Sequence, residues 1–151
     1  MVGNKELIEH LRRVLPDILA GTPITLAYLY GSMAVGQSLP SSDVDIALVL
    51  DRPQIPLQPD ERAKLEFGIE EALEQQGIPN ADVRVIDDLP LDFRGQVAIR
   101  GVRLYSRNEV ARVEFETRTW KEYLDFEPVA WMMRQALLND IRQHGLVREK
   151  E

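Results

Sequence analysis

Apolar positions recur along the chain with two different periods, and the switches between them outline an alternating order of helices and strands. Leu7, Ile8, Leu11, Val14, Leu15, Ile18 and Leu19 follow helical spacing, with Asn4 placed to cap that helix and Gly21 to end it. Pro16 is expected to bend it. The near-continuous apolar run from Ile24 to Tyr30 reads as a buried strand closed by Gly31-Ser32. Residues 33–37 are expected to form a short helix, and Ser38 to Ser42, with Pro40, a loop. Asp43 to Leu50 reads as a second strand, and Asp51 to Pro59, with three prolines, as a surface loop. Asp60 is the predicted cap of a helix with Leu65, Ile69, Ala72 and Leu73 on one face, closed by Gly77 and Pro79.

Beyond it, Asp82 to Ile86 reads as a short strand whose alternation is disturbed by Arg84 on the Asp82 face. A helix over Leu91 to Arg100 and a fourth strand over Val102 to Ser106 follow. Asn108 is placed to cap a long helix with Val110, Val113, Thr117, Trp120 and Leu124 on one side. Pro128 is expected to separate it from a last helix carrying Val129, Met132, Met133, Leu137 and Ile141. The order predicts an α/β domain over residues 1–107 and a helical extension over residues 108–151. Trp120 and the Trp131–Met133 group read either as cover for the domain's own sheet or as a surface for a partner.

Charge narrows the function. The chain has 151 residues and a formal net charge of -7, which disfavours direct nucleic-acid binding. No apolar run approaches the roughly 20 residues that span a bilayer. Met1 to Glu6 has no signal-peptide character, so the default expectation is a cytoplasmic protein with no membrane attachment. With no Cys, and His10 and His144 far apart, zinc and thiol chemistry are disfavoured.

The strongest chemical signal is Gly31-Ser32 followed, ten residues later, by Asp43-Val44-Asp45. In an extended strand, Asp43 and Asp45 project to one side about 7 Å apart. Two such carboxylates repel unless a cation sits between them, and Mg²⁺ suits carboxylate and phosphate oxygens. Gly31 lets backbone approach a ligand, Ser32 adds a hydroxyl, and a following helix N-terminus favours phosphate. Asp82, at the start of the next strand, is the candidate third carboxylate of a two-metal site. Asp87 and Asp88 compete with it but read as a turn before Pro90.

Gly31-Ser32-x10-Asp43-x-Asp45 plus Asp82 resembles the polymerase-β-like nucleotidyltransferase superfamily, and within it the minimal nucleotidyltransferase (MNT) antitoxins paired with HEPN toxins. The likeness runs from Tyr28 to Tyr105, and more loosely through Tyr123–Pro128. It implies a short mixed sheet flanked by helices. It also implies ATP as substrate, two Mg²⁺ ions on Asp43, Asp45 and Asp82, and Gly31 and Ser32 on the triphosphate. Asp82 would help remove the proton from the attacking hydroxyl. The implied activity is transfer of AMP to a tyrosine hydroxyl of a HEPN ribonuclease, within a hetero-oligomer with that toxin. Neutralisation by binding alone, or nucleotidyl transfer to a small molecule, are the alternatives. One departure stands out: many relatives carry Arg where this chain has Met33 or Val35, so phosphate contacts must come from elsewhere, with Arg84, Arg94 and Arg103 available.

Overall fold

The computed structural model describes residues 4–31, 43–51 and 57–145. Four strands form one mixed sheet in the order β3-β2-β1-β4, with β1 Ile24–Tyr30, β2 Val44–Leu50, β3 Ala81–Val85 and β4 Val102–Ser106. β1 pairs antiparallel with both β2 and β4, whereas β2 and β3 run parallel. Parallel neighbours need a crossover, and α2 (Pro59–Gln75) supplies it. The other helices are α1 (Asn4–Leu19), α3 (Leu91–Arg100) and α4 (Glu109–His144). No helix among the described residues is long and apolar enough to cross a membrane.

The two faces of the sheet bury separate cores. Leu7, Leu11, Leu15 and Leu19 of α1 and Ile69 and Leu73 of α2 pack with Leu29, Ile46, Leu48, Val83 and Val85 on one face. On the other, Leu26, Tyr28, Ala47, Val49 and Ile86 meet Val97 and Ala98 of α3 and Phe115 of α4. A register shift between Ile24 and Leu26 lets β1 serve both cores and sets Tyr28 and Tyr30 on the α3/α4 face.

Several helix ends follow from local chemistry. The Gly77 N–H donates to Glu74 O at 3.0 Å and the Ile78 N–H to Leu73 O at 2.9 Å, the paired bonds of a Schellman turn, with Gly77 at φ 87°. The Asn108 side chain accepts from the N–H groups of Val110 and Ala111, so the predicted cap is present. α2 starts earlier than the sequence reading places it. Gln58 is the cap and Pro59 the first helical residue, its fixed φ already suited to a first turn. Asp60 instead lies in that turn, where its charge favours the helix dipole.

The two C-terminal helices expected around Pro128 are one. α4 runs unbroken for 36 residues with Pro128 inside it. A break there needs a turn residue and a surface on which the next helix can fold back. Asp125 to Val129 contains no glycine to supply that turn, and Val129, Trp131, Met132, Met133 and Leu137 stay exposed along the continuous helix. The carbonyl that Pro128 leaves without a helical donor belongs to Leu124, an exposed residue. The short helix expected over residues 33–37 lies outside the described residues.

β3 is an edge strand, yet its outward N–H groups are not free. Glu70 accepts from the Val83 N–H at 2.9 Å and Glu66 from the Val85 N–H at 2.8 Å. Helix residues four apart are spaced much like strand residues two apart, so one face of α2 seals the edge. The Glu66→Ala/Glu70→Ala double variant should lose about 2 kcal/mol in denaturant unfolding and self-associate in light scattering. A monomer of unchanged stability would refute this role.

At the far end of the same strands, Asp87 accepts from the Leu50 N–H at 3.0 Å. Burial pushes its carboxyl up to about 6, opposed by that hydrogen bond. A carboxyl raised on folding stabilises most when protonated in both states, so this contribution is lost as pH rises from about 4 through 6. Denaturation midpoints between pH 4 and 8 should therefore show a falling component, absent in Asp87→Asn, whose amide oxygen still accepts from Leu50. Parallel curves for the two proteins would exclude it.

Candidate functional site

Strand register builds the site. Tyr30 of β1 pairs with Asp45 of β2, and Asp45 pairs with Asp82 of β3, so three side chains stand in one row across the sheet. Asp43 lies immediately ahead of β2, where the Val44 N–H donates to Asn80 O at 3.0 Å and holds the starts of β2 and β3 together. The row sits at the end of the sheet face covered by α3 and α4, and Asp45 and Asp82 are both partly exposed there.

The charges in this row act on one another. Partial burial raises the Asp45 carboxyl above the usual aspartate range, and the negative charges of Asp82 and Asp43 raise it further. Arg84 works in the opposite sense on Asp45 and stands 3.9 Å from Asp82. Its placement on the Asp82 face agrees with the sequence pattern. Asp87 and Asp88 are elsewhere: Asp87 holds the Leu50 N–H and Asp88 pairs with Arg62. The topology thus brings Asp82, and neither competitor, beside Asp45.

Gly31 ends β1 at φ 75°, a backbone state that L side chains rarely adopt. A Cβ at this position would also run into Oδ2 of Asp45. Glycine is therefore required twice, by the turn and by the carboxylate next to it. Ser32, Met33 and Val35 lie outside the described residues.

Sequence reasoning missed Tyr30. It is half-buried edge-on to Phe93, with ring centroids 5.3 Å apart. Burial, then the Asp45 charge, pushes its phenol up to about 12, so it remains a neutral hydroxyl near neutral pH. The available signal was strand alternation, which sets Tyr30 on the face of Leu26 and Tyr28. Of the arginines named from the sequence, Arg94 donates to Leu89 O at 2.9 Å and Arg103 lies 3.8 Å from Glu116, leaving Arg84 nearest the carboxylates.

Three carboxylates, two of which bear on the charge of Asp45, offer only oxygen donors and suit a hard divalent cation such as Mg²⁺. As they stand they form a charge cluster: no three His, Asp or Glu side chains among the described residues are gathered into a ready metal-binding group.

Residues 15–110, well over half of the chain, match the family model "Polymerase beta, Nucleotidyltransferase". The chain belongs to that family. No curated protein matches it. Among solved structures, it is similar to a chain of a toxin–antitoxin complex with AMP-PNP, at 22% identity and TM-score 0.64, covering 87% of this chain and 98% of that one. It is also similar to a chain of the tri-AMPylated Shewanella oneidensis HEPN toxin in complex with MNT antitoxin, at 20% identity and TM-score 0.61, covering 89% and 98%. A chain of the MntA–HepT toxin–antitoxin matches at 20% identity and TM-score 0.59, with the same coverage. These likenesses show the fold, a mixed sheet flanked by helices with a long C-terminal helix.

Gly31→Ala should destabilise the chain by about 1–2 kcal/mol from the left-handed backbone alone, and more from displacing Asp45. Thermal unfolding several degrees lower is the expected outcome, and an unchanged Tm would show that the turn relaxes freely.

Proposed function

We propose that this chain is an antitoxin that acts as an Mg²⁺-dependent adenylyltransferase, moving AMP from ATP to a tyrosine hydroxyl of a HEPN ribonuclease toxin. The observation that carries the reading is the Tyr30–Asp45–Asp82 row with Asp43 ahead of it, in a chain of the nucleotidyltransferase family. Likeness to toxin–antitoxin chains, one with AMP-PNP and one with a tri-AMPylated HEPN toxin, supports the nucleotide and the partner. The reading places the protein in the cytoplasm with its toxin, as a hetero-oligomer.

In this mechanism Gly31 and Ser32 would hold the triphosphate, while Asp43, Asp45 and Asp82 would hold the metal. Bound there, Mg²⁺ would neutralise the carboxylates and the charge that develops on the phosphates. The acceptor tyrosine oxygen forms a bond to the α-phosphorus as the bond to the β-bridging oxygen breaks. Its electron pair leaves with pyrophosphate, and the phenolic proton passes to the Asp82 carboxylate. The neutral Tyr30 hydroxyl keeps its proton beside Asp45 and can donate it in a hydrogen bond.

Residues 1–107 carry this chemistry and residues 108–151 the partner surface. Trp120 is exposed but tied to α3, its Nε1–H donating to Ala98 O at 3.0 Å, which favours a part in the domain's own packing. Trp131, Met132 and Met133 stay between 56% and 65% exposed and cover no part of the sheet. That apolar length favours a second component, neutralisation by contact, acting beside catalysis.

Purified protein with MgATP should add AMP to its cognate toxin by mass spectrometry, and Asp45→Asn should slow this at least a hundredfold. A toxin that stays unmodified yet is silenced would leave only the binding component.

A further inference from the structure

The end of α3 lies directly against β1. A Cβ at Gly101 would strike the Val97 carbonyl and come 3.2 Å from Leu29 O. This approach leaves a hollow of about 210 Å³ lined by Tyr30, Gly31, Phe93, Gln96, Val97 and Arg100. Its volume falls below the ~300–1,000 Å³ of sites for drug-sized ligands, so it has room for part of a nucleotide. The Gln96 amide is engaged, donating to the Tyr123 hydroxyl at 2.8 Å. Arg100 is exposed, and its side chain has no hydrogen bond or ion pair within the described residues.

That freedom distinguishes Arg100 from the cations around it. Arg84 faces Asp82, Arg94 is held by a backbone carbonyl and Arg103 by Glu116. Arg107 donates to Thr22 O and Leu19 O, and Arg112 pairs with Glu109 and Glu116. Arg118 and Arg142 are on α4 and line no part of this hollow. Arg100, which lines the same hollow as Gly31 and whose guanidinium has no partner among the described residues, is suited to clasp phosphate oxygens in pairs at the hollow's rim. Met33 and Val35 supply no such group.

We infer that Arg100 binds the polyphosphate of the nucleotide held at the Gly31 turn, with the apolar walls Tyr30, Phe93 and Val97 beside the nucleoside. The inference rests on the nucleotidyltransferase reading and extends it to a residue outside the Gly-Ser and aspartate motif. Arg100 is solvent-facing at the last turn of α3, so its replacement leaves the core intact.

The test is titration of the full-length protein, as wild type, Arg100→Gln and Arg100→Lys, with MgATP, tripolyphosphate and adenosine. Arg100→Gln should weaken ATP and tripolyphosphate about ten- to a hundredfold, the range for one charge-assisted contact, and leave adenosine within about threefold. Arg100→Lys should retain most of the affinity, and all three proteins should melt alike. Unchanged ATP affinity in Arg100→Gln, or an equal loss for adenosine, overturns this inference while the nucleotidyltransferase reading stands. A wild-type protein that binds no ATP overturns both.

Discussion

The parallel register of β2 on β3 is the constraint on which the site depends. It sets Asp45 beside Asp82 at the spacing of neighbouring strands, close enough for the Asp82 charge to disfavour that of Asp45. A slip of one residue would turn Asp82 to the opposite face of the sheet and leave Val83 in its place. What prevents the slip is apolar patterning on the other face, where Val83 and Val85 must meet α1 and α2. The site's electrostatic cost is thus offset by core packing on the far side of the same strands.

The remaining elements keep that row at an open margin. α3 and the first half of α4 cover the rest of the face through a close seam. Gly95 admits the Tyr123 ring where any side chain would collide with it, and Gln96 donates to the Tyr123 hydroxyl. Tyr28, buried in the sheet, donates to Glu116 at 2.6 Å, which ties α4 to β1. Burial and the Glu116 charge hold that phenol far above its ordinary range, so it stays a donor at any physiological pH. The cover stops at Tyr30, where Phe93 packs edge-on and the carboxylates begin.

Legibility in the sequence tracked how local the cause was. Ile24–Tyr30 and Val102–Ser106 were readable to the residue, and Leu91–Arg100 closely, because glycines, a proline and a capping asparagine bound them. Asp43, Asp45 and Gly31 stood out by spacing, and Asp82 by its place at the head of the next strand. What escaped depended on contacts distant in the chain. Tyr30 gains its environment from strands two and three, and Arg100 gains its position from the approach of Gly101 to Leu29. Pro128 misled because its local preference is to stop a helix, whereas Asp125 to Val129 offers no glycine at which the chain could turn and α4 runs on through it.

The seam between Gly95 and Tyr123 is also where α4 leaves the body of the fold. From residue 124 to His144, α4 extends about 30 Å at 1.5 Å per residue. Over that arm, a tilt of about five degrees at the seam carries the tip by ~3 Å, several times the backbone displacement at the pivot. The helix that carries the exposed apolar residues is thus anchored, through Tyr123, on the helix that ends at Arg100.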